Sequence, residues 1–215
     1  MRTSSNSISI APSPQNVMHC YLCSTPLQIR LTWRKLLTQT VEPVICEKCL
    51  QKFEHVTPEQ QKYEDVTALY HYNEPMKDFL HQYKFFKDVV LSEVFRTQIH
   101  NYLKDKQAII VPIPMHPEKL KQRTFAHIDE LLIAAKIPYI HLLEKKSSIT
   151  QSSKSKVERE QSEQLFNLKP NVIIEAVHYI LVDDIVTTGT TLKHAKSLLL
   201  VEGAKKVTAF TLIQG

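Results

Sequence analysis

Two adjacent aspartates, Asp183 and Asp184, stand directly before a short segment rich in threonine and glycine. The aspartates close an apolar run, and Thr187–Thr191 reads T-T-G-T-T, with Gly189 one of only three glycines in 215 residues. Glycine takes positive φ at no steric cost, so backbone at this position can approach a ligand closely. The hydroxyls and amide N–H groups of such a turn, at the start of a helix, favour an anion such as phosphate.

The two carboxylates indicate a different chemistry, because a phosphate would repel them. Neutral diol hydroxyls or a hydrated Mg²⁺ ion suit adjacent acids. A sugar phosphate meets both demands, with the acids on the ribose and the turn on the phosphate. An N-cap aspartate beside a threonine-rich turn is the alternative, and it accounts for one aspartate and one threonine rather than for the whole string.

The flanking pattern predicts the sheet that would position this string. Short β-type runs alternate with helical ones from Val66 onward, which predicts a parallel sheet with helices in its connections. In such a sheet, ligands bind beyond the carboxyl ends of the strands, where the two aspartates fall. The predicted strands are 66–72, 107–114, 137–143, 177–184 and 205–213, and the predicted helices are 74–86, 88–104, 117–136 and 191–202.

Four cysteines form two pairs with the spacing of a metal site. Cys20 and Cys23 make one C-x-x-C, and Cys46 and Cys49 make the other. This spacing matches a tetrahedral zinc site in which two small knuckles share one ion. Two disulfides would need an oxidising compartment, and a redox-active C-x-x-C would not explain two copies. The sequence therefore favours structural zinc.

Length, charge and hydropathy limit the domain organisation, the cellular location and the kinds of partner that this protein can have. We expect a disordered Ser/Pro-rich tail at 1–16, a zinc-binding ribbon at 17–57 and an α/β domain at 58–215. No apolar run reaches the roughly 18 residues typical of a membrane span, and the tail has no signal-peptide core, so we expect a cytoplasmic protein. The net charge of +5 permits an anionic partner such as a nucleotide or nucleic acid without requiring one.

The string from Tyr179 to Thr191 resembles the phosphoribosyl-pyrophosphate-binding motif of type I phosphoribosyltransferases. That motif has four apolar residues, two acids, two apolar residues and T-T-G-x-T, and only the aromatic Tyr179 departs from it. The resemblance implies an α/β fold of that class, with Asp183 and Asp184 on the ribose hydroxyls. It assigns the 5′-phosphate to Thr187, Thr188, Gly189, Thr190 and Thr191.

Beyond the motif, nearly everything after Val17 resembles the ComF/ComFC competence family. The four-cysteine ribbon, the Y-H-Y-N-E segment, V-P-I-P-M-H-P and the phosphate motif occur in the family's order. The resemblance implies that four more side chains adjoin the ligand: Lys84, Met115, His116 and Arg123. The chain departs from the family's R-G-F-N-Q pattern at three positions: Thr124, Ala126 and His127.

The resemblance also implies a role in natural transformation. A protein of this family would assist uptake of single-stranded DNA beside a helicase-like ATPase, recruited to the membrane-bound uptake machinery. A basic segment has the charge either to hold a DNA backbone or to serve as a lid over pyrophosphate, and a solvated loop is the alternative. Its basic side chains are Lys145, Lys146, Lys154, Lys156 and Arg159. Trp33, between the cysteine pairs, is expected to fill the core of the ribbon.

Two functions remain open at this point. One is an accessory protein that binds phosphoribosyl pyrophosphate or a related nucleotide. The other is an active Mg²⁺-dependent phosphoribosyltransferase that acts on an unidentified base or amine. The sequence favours binding, because no element follows the last predicted strand that could recognise a base.

Overall fold

The computed structural model describes residues 18–27, 41–85, 88–146 and 165–215. Three predictions from the sequence lie outside these ranges. They concern the tail at 1–16, Trp33, and the basic residues of the segment beyond position 146, namely Lys154, Lys156 and Arg159.

Four parallel strands form the central sheet, in the order β1-β6-β5-β2. Two further strands, β3 and β4, pair antiparallel with each other outside this sheet. The strands are β1 Val66–His71, β2 Ile109–Pro112, β3 Leu143–Lys145, β4 Phe166–Leu168, β5 His178–Val186 and β6 Lys206–Gln214. The carboxyl ends of β2 and β5 are adjacent, because Pro112 pairs with Val182.

Helices occupy the connections between the parallel strands, as the alternating pattern predicts. The α-helices are α1 Glu47–Leu50, α2 Glu74–Phe85, α3 Arg96–Leu103, α4 Pro117–Arg123, α5 His127–Ala134 and α6 Thr190–Val201. Short 3-10 helices cover Pro58–Gln60 and Val89–Phe95.

Three predicted elements differ from the observed ones. The predicted helix 88–104 begins as a 3-10 helix, in which Leu91 and Val94 are buried at the three-residue spacing of that helix type. The predicted helix 117–136 is interrupted at Thr124, which has φ 70° and ends α4. The predicted strand 137–143 makes one bond to β2, from Ile140 N–H to Ile110 O at 3.0 Å, and Pro138 has no N–H to continue a ladder.

Both faces of the sheet are buried, as expected for parallel strands. Along β5, Ile180 and Val182 pack into one cluster while Tyr179 and Leu181 pack into the other, on the side of α6. The first cluster has an aromatic centre in which the rings of Phe53 and Phe95 lie 4.9 Å apart.

That first cluster also contains the cysteine ribbon. Cys20 and Cys49 are 2% and 3% exposed and belong to the same core as Phe53 and Tyr70. The described part of the ribbon therefore packs on the core of the α/β domain.

Candidate functional site

The two aspartates lie near the carboxyl end of β5, between β6 and β2. Asp184 is buried and Asp183 is half-buried. Oδ1 of Asp183 accepts a hydrogen bond of 2.9 Å from the backbone N–H of Asp184. The three apolar residues before them, Ile180 to Val182, pack into the hydrophobic clusters on the two faces of the sheet and fix this part of β5.

Helices α2 and α5 bring basic groups to Asp184. Lys84, in the last turn of α2, forms an ion pair with Oδ2 of Asp184. His127, the first residue of α5, places its Nε2 3.6 Å from the same oxygen. Arg123, at the end of α4, places Nη1 3.4 Å from Nδ1 of His127. The break at Thr124 separates Arg123 from His127 and lets both reach this network.

His127 is a neutral link in that network. Burial, followed by the charges of Lys84 and Arg123, lowers the pKa of His127 to about 3. The Arg123 guanidinium can only donate, so Nδ1 of His127 accepts and its Nε2 carries the proton that faces Asp184. Tyr83 donates its hydroxyl to the backbone oxygen of His127 at 2.6 Å and holds the start of α5 in place.

Burial also shifts the other charged groups of the site. It lowers the pKa of Lys84 to about 8, with the charge of Arg123 acting in the same direction. It raises the pKa of Asp183 to about 7, against the opposing charges of Lys84 and Lys145. The acid pair therefore lies among cations, which suits a ligand that carries both hydroxyls and negative charge.

The segment after β5 forms the predicted turn at a helix start. Gly189 has φ +71° and is the N-cap of the 12-residue helix α6. The side chains of Thr187, Thr188 and Thr190 are exposed. Oγ1 of Thr188 lies 3.0 Å from Oγ1 of Thr190 and 3.4 Å from its backbone N. Exposed hydroxyls and free N–H groups at the positive end of a helix dipole can bind a phosphoryl group. We call Thr187–Thr191 the phosphate loop.

Tyr63 covers one side of the phosphate loop. A Cβ atom on Gly189 would lie 3.3 Å from Cε1 of Tyr63, and the Tyr63 hydroxyl donates to the backbone oxygen of Thr187 at 2.7 Å. The positive φ at Gly189 is thus confirmed, while the space left by its missing side chain is filled by a ring of the protein itself. Sequence reasoning missed Tyr63, because it lies in a segment that reads only as a polar linker.

Met115 and His116, the two predicted ligand neighbours after β2, have different surroundings. His116 is the N-cap of α4, and its Nδ1 accepts from the backbone N–H of Glu118 at 3.3 Å. Met115 lines a cavity of about 380 Å³ together with His127 and Lys145. The structure thus brings Lys84, Arg123 and Lys145 toward the acids, whereas His116 turns to its own helix.

The four cysteines meet the geometric requirements of a metal site. Their sulfur atoms all lie within 4.8 Å of one another, and Sγ of Cys23 is 3.6 Å from Sγ of Cys46. Zn–S bonds of about 2.3 Å in a tetrahedron separate sulfurs by about 3.8 Å. The backbone N–H of Cys46 donates to Sγ of Cys20 at 3.3 Å, a contact typical of knuckle ligands. All four thiols are free, so the cluster can hold a metal ion.

Residues 93–215 match the phosphoribosyl transferase domain family. The chain therefore belongs to the phosphoribosyltransferase-domain class, and the predicted fold, a parallel sheet flanked by helices, is confirmed. Within this class it is a member of the ComFC competence protein family. It is 33% identical to competence protein ComFC of Streptococcus pneumoniae, over 92% of this chain and 100% of that protein. It is 30% identical to competence protein ComFC of Bacillus subtilis, over 91% and 94% of the two chains.

Two solved structures show partial similarity to this chain. A hypoxanthine phosphoribosyltransferase from Staphylococcus aureus has a TM-score of 0.35 and 15% identity, over 61% of this chain and 65% of that one. An allosteric regulatory enzyme of purine biosynthesis has a TM-score of 0.40 and 17% identity, over 61% and 29% of the two chains. Among the described residues, no helix has the length and apolar character that crossing a bilayer requires.

Proposed function

We propose that this chain binds phosphoribosyl pyrophosphate with Mg²⁺ at the carboxyl end of β5, and thereby assists single-stranded DNA uptake in natural transformation. One observation carries the proposal: the acid pair and the phosphate loop lie on one strand end and the helix start that follows it. Asp183 and Asp184 would accept hydrogen bonds from the two ribose hydroxyls. Lys84 forms an ion pair with Asp184 and supplies a positive charge directly beside the acid pair.

The remaining groups suit the two ends of the ligand. Thr187, Thr188, Gly189, Thr190 and Thr191 surround the place of the 5′-phosphate. Arg123 supplies positive charge on the diphosphate side, where Met115 and His116 follow β2. Carboxylate oxygens are the protein ligands that Mg²⁺ prefers, and the ion would neutralise the diphosphate charge. The four cysteines would hold one structural Zn²⁺ ion.

Calorimetry with phosphoribosyl pyrophosphate and Mg²⁺ tests the site. We expect the double variant Asp183→Asn, Asp184→Asn to lose at least tenfold in affinity, because the acceptors for the ribose hydroxyls are weakened. Asp78→Asn with Asp105→Asn makes the same change in charge at two exposed positions and should bind as the wild type does. Equal affinity of all three proteins would refute the residue assignment.

The competence role needs a measurement on DNA. We propose that Lys145 and Lys146, with Lys154, Lys156 and Arg159, contact the phosphate backbone of single-stranded DNA. A Lys145/Lys146/Lys154/Lys156→Ala variant should bind more weakly and show a shallower dependence of affinity on salt. The matched control replaces four exposed lysines near the amino-terminal ends of β2 and β6: Lys104, Lys106, Lys205 and Lys206. Equal losses in both variants would show that only net charge matters.

A clean deletion scored for transformation frequency tests the cellular role. We expect DNA uptake to fall and to be restored by the wild-type gene but not by the double aspartate variant. A helicase-like ATPase is the partner that we propose for this step, in the cytoplasm beside the membrane-bound machinery. Normal transformation in the deletion strain would exclude the competence role.

Catalysis is a second candidate, favoured by the cavity of about 380 Å³ beside His127. This space could hold a group next to the acid pair, a feature that the sequence did not reveal. Pyrophosphate release in the presence of phosphoribosyl pyrophosphate, Mg²⁺ and a panel of bases and amines tests turnover. Release that requires an acceptor and is lost with the double aspartate variant would indicate a phosphoribosyltransferase, whereas binding without release supports the accessory role.

A further inference from the structure

The segment between the cysteine ribbon and β1 contacts the phosphate loop directly. Tyr63 makes two of these contacts: its hydroxyl donates to the backbone oxygen of Thr187 at 2.7 Å, and its ring lies against Gly189. These residues are the first and third of the phosphate loop. Tyr63 therefore touches the loop by a polar contact and an apolar one at the same time.

The same segment is tied firmly to the sheet. The side chain of Gln61 forms hydrogen bonds with both backbone groups of Ala68 in β1. Its Nε2 donates to the Ala68 oxygen at 3.0 Å, and its Oε1 accepts from the Ala68 N–H at 2.9 Å. Gln214, which is 3% exposed at the end of β6, accepts from the backbone N–H of Lys62 at 3.2 Å and donates to Gln60 O at 2.8 Å. Tyr63 is thus held by a segment that is hydrogen-bonded to both β1 and β6, rather than by a loose linker.

An open space beside the loop makes this support important. A cavity of about 540 Å³ lies between the segment and α6, and its lining includes Tyr63, Gly189 and Lys193. On this side the loop packs against the Tyr63 ring and otherwise borders this open cavity. A loop with few packing contacts opens locally at low free-energy cost, so the contacts it does have determine its order.

We propose that Tyr63 is a positioning residue that holds the phosphate loop in its ligand-binding conformation. Its hydroxyl holds the Thr187 carbonyl, and its ring sustains the positive φ of Gly189. A loop that is already ordered loses less entropy on binding, so its affinity for a phosphoryl group is higher. The affinity part rests on the proposed function, whereas the order of the loop does not depend on any ligand.

Hydrogen exchange of the ligand-free protein tests the order of the loop. Tyr63→Phe removes one hydrogen bond and keeps the ring, and amides of residues 186–192 should exchange about two- to tenfold faster. Tyr63→Ala removes both contacts and should exchange faster still. Tyr72→Phe deletes a hydroxyl from a tyrosine that is 46% exposed and should leave the loop unchanged. Urea unfolding of each variant separates this local effect from a loss of global stability.

Affinity for phosphoribosyl pyrophosphate, measured by calorimetry with Mg²⁺, completes the test. We expect the dissociation constant to rise about two- to tenfold in Tyr63→Phe and further in Tyr63→Ala, with Tyr72→Phe unchanged. Unaltered loop exchange in Tyr63→Ala would overturn the proposal, whatever the affinity. If the wild type binds no ligand while loop exchange still depends on Tyr63, the proposed function fails and the positioning role stands.

Discussion

At the scale of single residues, His127 lies between two charged groups, Arg123 and Asp184. Burying such groups without a polar partner costs free energy. The neutral ring of His127 lies between the Arg123 guanidinium and the Asp184 carboxylate, at 3.4 Å and 3.6 Å. A neutral group that accepts on one side and donates on the other suits that position. Glutamine stands here in the R-G-F-N-Q pattern that this sequence resembles, and an amide has the same pair of functions.

His127→Ala should therefore destabilise the fold by about 2–4 kcal/mol, because it leaves buried polar groups without a partner and opens a cavity. His127→Gln should cost less than about 1 kcal/mol, since the amide can accept from Arg123 and donate to Asp184. Urea unfolding of both variants measures the difference. Equal destabilisation by alanine and glutamine would show that ring packing, not polarity, determines the effect.

The raised pKa of Asp183 predicts a pH-dependent stability. Its carboxyl group ionises near pH 4 in the unfolded chain and near pH 7 in the folded one. The folded state thus binds the proton more tightly, so this group lowers stability as pH rises from about 4 to 7. Asp183→Asn should be more stable than the wild type at pH 8, with a difference that shrinks toward pH 4.

The lowered pKa of His127 acts in the opposite direction, because the unfolded chain takes up a proton below about pH 6.5. For that reason the test compares the variant with the wild type at each pH, so that the histidine contribution cancels. Asp105→Asn is the control, since its carboxyl group is exposed. A constant difference between Asp183→Asn and the wild type across pH 4–8 would contradict the assignment.

At the scale of elements, the connection from β5 to α6 depends on the backbone at Gly189. Its φ of +71° is the left-handed conformation, and the Tyr63 ring fills the space beside it. Part of this was predictable: the T-T-G-T-T string indicates a turn with a glycine at positive φ. The ring was not, because nothing in the residues near Gly189 identifies a tyrosine 126 positions earlier in the chain.

Gly189→Ala should destabilise the protein by about 1–2 kcal/mol from the left-handed conformation alone. The added Cβ also crowds the Tyr63 ring, so the total cost should be larger. A double-mutant cycle with Tyr63→Ala separates the two effects by urea unfolding. We expect the cost of the alanine to fall when the ring is absent, and strict additivity would argue against the contact.

At the scale of the whole molecule, the cysteine ribbon and the α/β domain share one hydrophobic cluster. Cys20 and Cys49 belong to the same core as Phe53, whose ring packs on Tyr70 and Phe95. A disturbance at the metal site should therefore reach the sheet. In proteins whose metal module folds separately, loss of the ion affects that module alone.

Removal of the metal by a chelator should lower the melting temperature of the entire chain in a single transition. The purified protein is expected to contain one zinc ion per chain, and calorimetry with and without chelator measures the shift. Restoring zinc should restore the transition, which controls for direct effects of the chelator. A metal-free protein with four intact thiols and an unchanged melting temperature would contradict the zinc assignment.

The amino-acid sequence by itself determined those features whose parts are contiguous. The phosphate loop, the aspartates at a strand end and the two cysteine pairs can be predicted because each is a local backbone structure made by neighbouring residues. The parallel sheet follows in the same way, from hydrophobic patterns within single strands and helices. The hydrophobic pattern did not indicate the break at Thr124, whose φ is 70°. The missing ladder at Pro138 could have been predicted, because proline has no N–H to donate to a neighbouring strand.

The resemblance implied Lys84 and Arg123 beside the ligand, but only the tertiary structure placed His127 next to Asp184 and Tyr63 against the phosphate loop. Lys84 comes from α2, whereas Arg123 ends α4 and His127 begins α5 only four residues later. Tyr63 comes from a segment before the first strand. Their meeting depends on packing between elements, which no local pattern specifies. The pKa values of the site follow from the same packing, because burial and nearby charge, rather than residue type, set the charge of Asp183 and His127.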